Sequence, residues 1–454
     1  MEFLCRLREL MKRPLFRRMT FIRFFGQGGD AIVQVAMASY VLFNPQSQAS
    51  GPAIAIVLAV TMLPFAFVGP FVSPILDSHS RQRAAIISDS IRVLACLAMA
   101  LAVAGGHTAG RGQILLMVLL LIALSLNRFQ LAAMSAALPF TIESDEYVEA
   151  AGLMPVIGPI SALIGGALAA AIRMILAGRW PANWADGLLF CLAGAYFLGA
   201  IGVASTVSRR QFGPLERHHG PSASQILSGL VGASRHIASR LPACLTLITV
   251  FVSRTIWGLL LVVVILANRH HFYPGDDPAQ QAKAMLGMGL WFGLAGVGSA
   301  LCGTLVTPLS HKIGIRKTLI WLLIGALVAE IPPLVVFNPF TLVIGGFLLG
   351  LFTQSIKICA DTVVQTHVDD EYRGRVMVVY DILNNTAIVF GATIAAFTLP
   401  SDGVSMTVMF AAASIFAIMA VIFAFASRND SSTYDRGTKR AILNQPAATS
   451  ADPR

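Results

Sequence analysis

The sequence predicts an all-α membrane protein of twelve transmembrane helices arranged as two pseudo-symmetric six-helix halves. Of its 454 residues, 56% are hydrophobic and only 12% are charged, whereas a soluble domain carries roughly 25% charged residues. Twelve apolar stretches, each near the roughly 20 residues that cross a bilayer, alternate with short polar segments. Two charged decapeptides, TIESDEYVEA from Thr141 and THVDDEYRGR from Thr366, recur about half a chain apart. Their spacing indicates an internal duplication.

The apolar stretches set the order of the elements. The predicted spans 1 to 12 are 20–43, 53–76, 84–104, 113–138, 151–177, 187–208, 242–267, 285–309, 318–337, 341–365, 375–399 and 403–426. The longest polar gap follows span 6 and is rich in Gly, Pro and Ser, which is typical of a linker. The predicted segments are therefore an N-terminal segment 1–19, a first half 20–208, a linker 209–241, a second half 242–426 and a polar tail 427–454.

The basic residues predict the orientation of the chain. With the N-terminus in the cytosol, about 23 Lys and Arg fall in cytosolic segments and about four in external loops, as the positive-inside rule requires. Both termini are then cytosolic. Residues 1–19 are expected to form an amphipathic helix on the membrane surface, and the tail 427–454 is expected to be disordered. The net charge of +10 is thus a sign of membrane topology and does not indicate a nucleic-acid partner.

Several loop and helix motifs are similar to those of the major facilitator superfamily. The loop after span 2, SPILDSHSRQR, keeps the Asp and the second Arg of the superfamily's loop motif, and HKIGIRK after span 8 is a second, partial copy. The segments SDSIRVL, NRFQLAAMSAALP and QTHVDDEYRGRV resemble the branch that contains enterobactin and macrolide exporters. The resemblance implies a twelve-helix transporter fold in which spans 1, 4, 7 and 10 line a central cavity.

The loop motifs are expected to act as a gate on the cytosolic side. Asp77 is predicted to contact the N-terminus of span 11 and Arg373 or Arg375, because a carboxylate is stabilised by the exposed N–H groups of a helix start. Such a contact would hold the two halves together, although these residues could instead be solvated loop charges. The gating set predicted in this way is Asp77, Arg81, Lys312, Gly314, Arg316, Arg373 and Arg375.

Charged residues inside the predicted spans point to the transport site, because ionised groups are costly in lipid and usually face a cavity or a partner. In span 1 the polar residues 23, 27, 30 and 34 follow helical spacing on one face, and in span 10 residues 354, 357, 361 and 365 do the same. Spans 4 and 7 contribute one arginine each. The predicted cavity residues are Asp30, Gln34, Arg128, Arg254, Lys357 and Asp361. Arg128 and Lys357 are hypothesised to face each other across a water-filled site.

Other interpretations of these residues remain open. Lys357 and Asp361, four residues apart, could simply neutralise each other, and Arg23 could extend to the cytosolic interface. Asp30 is the best candidate for a proton site, because a low dielectric favours the protonated carboxyl; its alternative is a buried salt bridge to an Arg. The remaining charges are expected near helix ends, where they reach water: Asp89, Arg92, Arg173, Glu330 and Asp381.

The function predicted from the sequence is transport and not catalysis. The sequence contains neither the H-E-x-x-H zinc motif nor a P-loop, and its six cysteines are scattered singly. We therefore expect no metal, no cofactor besides a proton gradient, and a monomer in a bacterial-type plasma membrane. The expected activity is proton-coupled efflux of small amphipathic molecules, drug-like or siderophore-like. A lysolipid flippase or a solute importer is the alternative, since Gly158-Pro159 and Gly165-Gly166 depart from the spacing of the exporters' antiporter motif.

Overall fold

The computed structural model describes most of the chain, and every structural statement below refers to that part of it. The described residues are 9–43, 51–67, 80–106, 111–143, 147–176, 178–208, 211–212, 223–275 and 277–428. These residues are overwhelmingly helical, and none of them forms a strand.

Six long helices correspond to the first predicted half. They are α1 (Pro14–Phe43), α2 (Gly51–Phe67), α3 (Arg81–Ala104), α4 (Arg111–Ala137), α5 (Tyr147–Leu176) and α6 (Ala182–Ser205). A single 3-10 turn, Leu138–Phe140, follows α4. Helix α3 begins at a conventional N-cap, where the side chain of Ser80 accepts a hydrogen bond from the backbone N–H of Arg83.

Seven further helices follow. They are α7 (Ala223–Ser239), α8 (Leu241–Leu266, extended by the π-helical segment Ala267–Phe272), α9 (Pro278–Ile313), α10 (Ile315–Val335), α11 (Pro339–His367), α12 (Asp370–Thr398) and α13 (Met406–Ala426). Helix α10 starts directly after Gly314, whose φ of 81° is a conformation that favours glycine. This backbone requirement explains the glycine of the HKIGIRK motif.

A helix is found at each of the twelve predicted spans. Ten of the described helices are long and apolar enough to cross a membrane, and many large apolar side chains on them are exposed, as lipid contact requires. Two boundaries differ from expectation. Helix α1 already begins at Pro14, inside the predicted segment 1–19, and α7 lies within the predicted linker 209–241. The tail beyond residue 428 lies outside the described residues.

The chain divides into two compact units, Met1–Ile226 with Asp276–Ala282 and Leu227–Gly275 with Lys283–Arg454. The N-terminal unit packs α1 against α5 and α6, and α3 against α4 and α6. The C-terminal unit repeats this pattern, since α8 packs against α12 and α10 packs against α11 and α13. The two units thus use the same helix neighbours, which is the pseudo-symmetry that the repeated decapeptides predict.

Small residues bring the first and fifth membrane-spanning helix of each unit into close contact. A Cβ on Gly165 of α5 would lie under 3.0 Å from the backbone oxygen of Gly28 in α1. In the C-terminal unit, a Cβ on Gly391 of α12 would lie under 3.0 Å from the backbone oxygen of Thr255 in α8. Gly391 follows Gly165 by 226 residues (391 minus 165), and Thr255 follows Gly28 by 227 (255 minus 28). The duplication therefore includes the closest backbone contacts, where side chains would prevent the approach.

Candidate functional site

Asp30, predicted as a cavity residue, lies in a buried ion network of the N-terminal unit. Its Oδ1 pairs with a guanidinium nitrogen of Arg92 on α3, and the side chains are 4% and 0% exposed respectively. The same guanidinium donates to Asp89 Oδ1 over 2.8 Å. One arginine therefore holds two carboxylates that lie on different helices.

The rest of the network encloses Arg92 completely. Gln130 of α4 accepts from Arg92 over 2.8 Å and donates to Asp89 Oδ2 over 2.7 Å. The backbone oxygen of Gly26 also accepts from Arg92, over 3.3 Å. The guanidinium carbon lies 3.8 Å from the ring centroid of Phe197 on α6, at the distance of a cation–π contact. Four helices thus meet at one buried arginine.

The two oxygens of Asp30 are not equivalent. Oδ1 is paired with Arg92, whereas Oδ2 is buried and has no hydrogen-bond partner among the described residues. Arg128 of α4 lies close enough for its charge to act on the Asp30 carboxylate. Two of the predicted cavity residues, Asp30 and Arg128, therefore lie within electrostatic range of each other in the same unit.

The remaining polar positions of α1 have different surroundings. Gln27 donates a hydrogen bond of 2.9 Å to Asn127 Oδ1 on α4. Arg23 is half-buried, and its guanidinium lies against Gly158 of α5. Gln34, a predicted cavity residue, is exposed.

In the C-terminal unit the predicted cavity residues form a second, more open group. Arg254 of α8 donates to Gln354 Oε1 of α11 over 2.8 Å. Lys357 Nζ lies 3.0 Å from Asp361 Oδ2 and 5.0 Å from the ring centroid of Tyr380 on α12. The Lys357 and Asp361 side chains remain 25% and 29% exposed. The expected pairing of these two charges is present, and it leaves both groups accessible.

The Gln27–Asn127 and Arg254–Gln354 hydrogen bonds occupy equivalent positions in the two units. Each joins residues 100 apart in the sequence, and both residues of the second pair follow those of the first by 227 (254 minus 27, 354 minus 127). Each bond connects the first and the fourth membrane-spanning helix of its unit. The polar link between these helices has been duplicated, although its chemistry has changed from amide–amide to guanidinium–amide.

The predicted gating residues make local contacts within their own units. Asp77 lies outside the described residues. Arg81 donates to the Phe212 backbone oxygen over 2.9 Å, and Arg316 donates to Ser427 Oγ and the Ala424 oxygen, each over 2.7 Å. Lys312 is exposed. Arg81 thus ties the start of α3 to a turn that follows α6, and Arg316 ties the start of α10 to the end of α13. A gating role for them stays a prediction.

Helix α7 contacts the second of the two decapeptides. His236 stacks on Tyr372 with ring centroids 4.5 Å apart, and Arg240, which precedes α8, lies 3.1 Å from Asp369 Oδ2. Arg375 lies against Gly229, while Arg373 reaches the Gln365 backbone oxygen at 3.4 Å. The acidic and basic residues of this decapeptide are therefore used, at least in part, to hold α7 on the C-terminal unit.

The expectation that the remaining charges reach water was wrong for four of five residues. Asp89 and Arg92 are 0% exposed, Arg173 is 4% exposed and Glu330 is 3% exposed; Asp381 is exposed. Arg173 Nε lies 2.7 Å from Asp186 Oδ1, and Ser39 bonds to both groups, which forms a second buried network between α1, α5 and α6. Neighbouring helices bury these four side chains. The sequence of one span does not show which other helices pack against it, so this burial could not be predicted.

Comparisons with known proteins agree with this architecture. Residues 243–450 match the model of the Major Facilitator Superfamily. An uncharacterised MFS-type transporter of Mycobacterium tuberculosis and one of Mycobacterium bovis are each 28% identical over 408 residues, which is 87% of this chain and 87% of each relative.

Solved structures are similar in fold at low sequence identity. The nucleoside transporter NupG superposes with a TM-score of 0.64 at 12% identity and covers 91% of this chain and 98% of its own. The peptide transporter POT in complex with sulfate gives a TM-score of 0.64 at 13% identity, covering 92% and 95%.

The chain is therefore a multi-pass membrane protein with the fold of these solved transporters. Its C-terminal half is similar to the Major Facilitator Superfamily model, and most of the chain is similar to two MFS-type transporters.

Proposed function

We propose that the chain is a proton-coupled secondary transporter that exports small amphipathic molecules by alternating access. The observation that carries the proposal is that the buried Asp30 shares Arg92 with a second carboxylate, Asp89, and has its other oxygen without a hydrogen bond to a described residue. An ionised oxygen without a partner is unfavourable in a low dielectric, and a proton on that oxygen removes the unfavourable charge.

Proton binding at Asp30 would change the link between α1 and α3. In the ionised state Asp30 is bound to Arg92; in the protonated state that attraction is reduced to a neutral hydrogen bond. Arg92 remains paired in both states, because Asp89 and Gln130 also bind it. The cost of leaving a buried guanidinium unpaired is thus avoided. Of the two bonds between Arg92 and α1, the one to Asp30 weakens on protonation and the one to the Gly26 oxygen remains. A helix whose attachment depends on protonation can couple a proton gradient to a conformational change.

The test uses Asp30→Asn, which mimics the protonated state permanently. In inside-out vesicles with an imposed proton gradient, this variant should reduce gradient-driven accumulation of fluorescent amphipathic compounds to the level of vesicles without the protein. It should retain exchange of labelled for unlabelled compound, which needs no net proton movement. Gradient-driven accumulation equal to that of the wild-type protein would exclude Asp30 as the proton site.

Asp186→Asn is the matched control. Asp186 is an equally buried carboxylate of the same unit; its Oδ1 is likewise bound to an arginine and its Oδ2 likewise has no partner among the described residues. It differs from Asp30 in that its Oδ1 also accepts from Ser39 and its arginine is bound to no second carboxylate among the described residues. This variant should keep gradient-driven transport after correction for the amount of protein in the membrane. If both variants lose transport alike, the Asp30 effect is structural and the proposal fails.

Uptake together with protons is the second candidate, and the position of Arg128 favours it. Because Arg128 acts on the Asp30 carboxylate, protonation of Asp30 would leave more of its positive charge available to an anionic cargo. Proton and cargo would then bind cooperatively, as in symport, and would not compete, as in antiport. Measuring cargo binding to purified protein as a function of pH separates the two: tighter binding at lower pH indicates symport, and weaker binding indicates antiport.

A further inference from the structure

A buried carboxyl of the C-terminal unit takes no part in the polar groups described so far. Glu330 lies in α10 and is 3% exposed. No hydrogen bond or ion pair joins it to another described residue, and no charged side chain of the described part of the chain acts on it. It therefore differs from Asp30, Asp89 and Asp186, each of which is bound to an arginine.

Glu330 lines a cavity of about 20 Å³. A cavity needs roughly 10–15 Å³ to hold one water molecule, so this space suffices for one. Apart from Glu330, the side chains that line it are apolar or aromatic and come from α8, α9, α10, α11 and α13, for example Leu260, Trp291, Leu349 and Met409. The glutamate is thus the ionisable group of an otherwise apolar space.

The backbone supplies a second polar partner for a water molecule. Pro333 has no N–H, so it cannot donate the usual helical hydrogen bond to the carbonyl of Ala329. Ala329 lines the same cavity, and its oxygen faces α11, where a Cβ on Gly345 would lie 3.1 Å from it. A backbone acceptor without its helical donor and a carboxyl without a partner therefore border the same space.

Asp30 and Glu330 each have a residue that is not acidic at the equivalent position of the other unit. The residue equivalent to Asp30 in the C-terminal unit is Trp257 (257 minus 30 is 227). Helices α3 and α10 start at Arg81 and Ile315, 234 residues apart, so the residue equivalent to Glu330 in the N-terminal unit is the buried Cys96 (330 minus 234 is 96). Trp257 packs on Trp291 with ring centroids 5.2 Å apart, and Trp291 lines the Glu330 cavity. A short path of packed aromatic rings thus leads from α8, near Arg254, to the glutamate.

We propose that Glu330 is a second proton-binding site, which holds one proton and one water molecule inside the C-terminal unit. An ionised carboxylate in this apolar space would have no counter-charge, whereas the protonated acid can donate to the water and the water can donate to the Ala329 oxygen. With one proton and one water molecule bound, the site carries no net charge. The space that Glu330 lines is partly open, so its proton can exchange, and the packing of α10 against α11 governs how readily the acid reaches water.

Infrared spectroscopy of the purified protein at neutral pH tests the protonation state and needs no cargo. The wild-type protein should show the carbonyl band of a protonated carboxylic acid, and the band should be absent from Glu330→Gln. In deuterated water the band should shift, because the cavity water exchanges. Identical spectra for the two proteins would overturn the proposal, and so would a band that does not shift on prolonged exchange.

Two further variants keep the test decisive. Asp186→Asn removes a buried acid that is paired with Arg173, and it should leave the band unchanged. If Glu330→Gln does not fold, Glu330→Asp retains the acid and should move the band to a different frequency. A band that disappears when sodium is added at constant pH would make Glu330 a cation site and would contradict the proposal. None of these results depends on whether Asp30 drives transport.

Discussion

The two units use one helical scaffold for different polar chemistry. The N-terminal unit buries Asp30, Asp89 and Arg92 in one network, whereas the equivalent positions 257, 323 and 326 of the C-terminal unit carry Trp, Leu and Ala. The C-terminal unit has instead an accessible Lys357–Asp361 pair and an isolated, buried glutamate. Backbone contacts and helix neighbours are repeated, while ionised groups are not. Packing therefore preserved the scaffold, and the charged residues diverged within it.

The largest effect is expected from removing the shared arginine of the N-terminal unit. Arg92→Leu leaves two buried carboxylates without their counter-charge, and breaking such a network is destabilising by about 3–5 kcal/mol. Thermal unfolding in detergent should show a large loss or no folded protein. Arg92→Lys, which keeps the charge but not the planar fork, should lose less. If Arg92→Leu were as stable as the wild-type protein, the network would not hold this unit together.

The glycine contacts should show that the two units are equivalent in packing. Gly165→Ala and Gly391→Ala each introduce a methyl group that collides with the backbone of the neighbouring helix, and overpacking typically destabilises by about 1–3 kcal/mol. Similar losses in thermal stability are expected for both variants. The control is Gly293→Ala in α9, where a Cβ meets nothing within 4 Å. A loss for only one of the two glycines would contradict the symmetry of the scaffold.

The repeated hydrogen bonds should have smaller effects. Side-chain hydrogen bonds between membrane helices average about 0.6 kcal/mol in double-mutant cycles, so Gln27→Ala with Asn127→Ala should give a coupling of that order. Gln354→Ala should cost more, because it removes the acceptor of a charged guanidinium. Unfolding of single and double variants in detergent measures both couplings. A coupling of zero in either unit would show that its hydrogen bond does not stabilise the helix pair.

The smallest effect is expected at the open pair of the C-terminal unit. Lys357 and Asp361 are partly exposed and lie one helical turn apart, and exposed pairs of this kind contribute about 0.3–0.5 kcal/mol. Lys357→Gln should therefore leave thermal stability almost unchanged. It should reduce transport if the pair contacts cargo, which is what the sequence predicts. A stability loss as large as that of Arg92→Leu would make this pair structural.

Helix positions could be predicted well because hydrophobicity is a local property. A helix is present at each predicted span, and the spacing of residues 23, 27, 30 and 34 correctly placed polar groups on α1. The partners of those groups were not predictable in the same way. Arg92 lies 62 residues from Asp30, and a helical period gives the face of a residue but not the helix that covers it. For this reason Asp89 and Arg92 were expected to reach water.

One signal in the sequence could have corrected that expectation. Asp89 and Arg92 stand three residues apart on an otherwise apolar stretch, the spacing of a paired helical face, so both could have been added to the candidate site with Asp30. No comparable signal marks Gln130 or Glu330. Their importance depends on what surrounds them and not on any pattern along the chain.

The sequence by itself determined the membrane class, the order of the apolar helices and the duplication, because each follows from local composition or from comparison of the chain with itself. The tertiary structure decided which charges are paired, which oxygen of Asp30 lacks a partner and that Glu330 is buried. These properties depend on the distance between side chains of different helices, and electrostatic interactions in a low dielectric are sensitive to that distance.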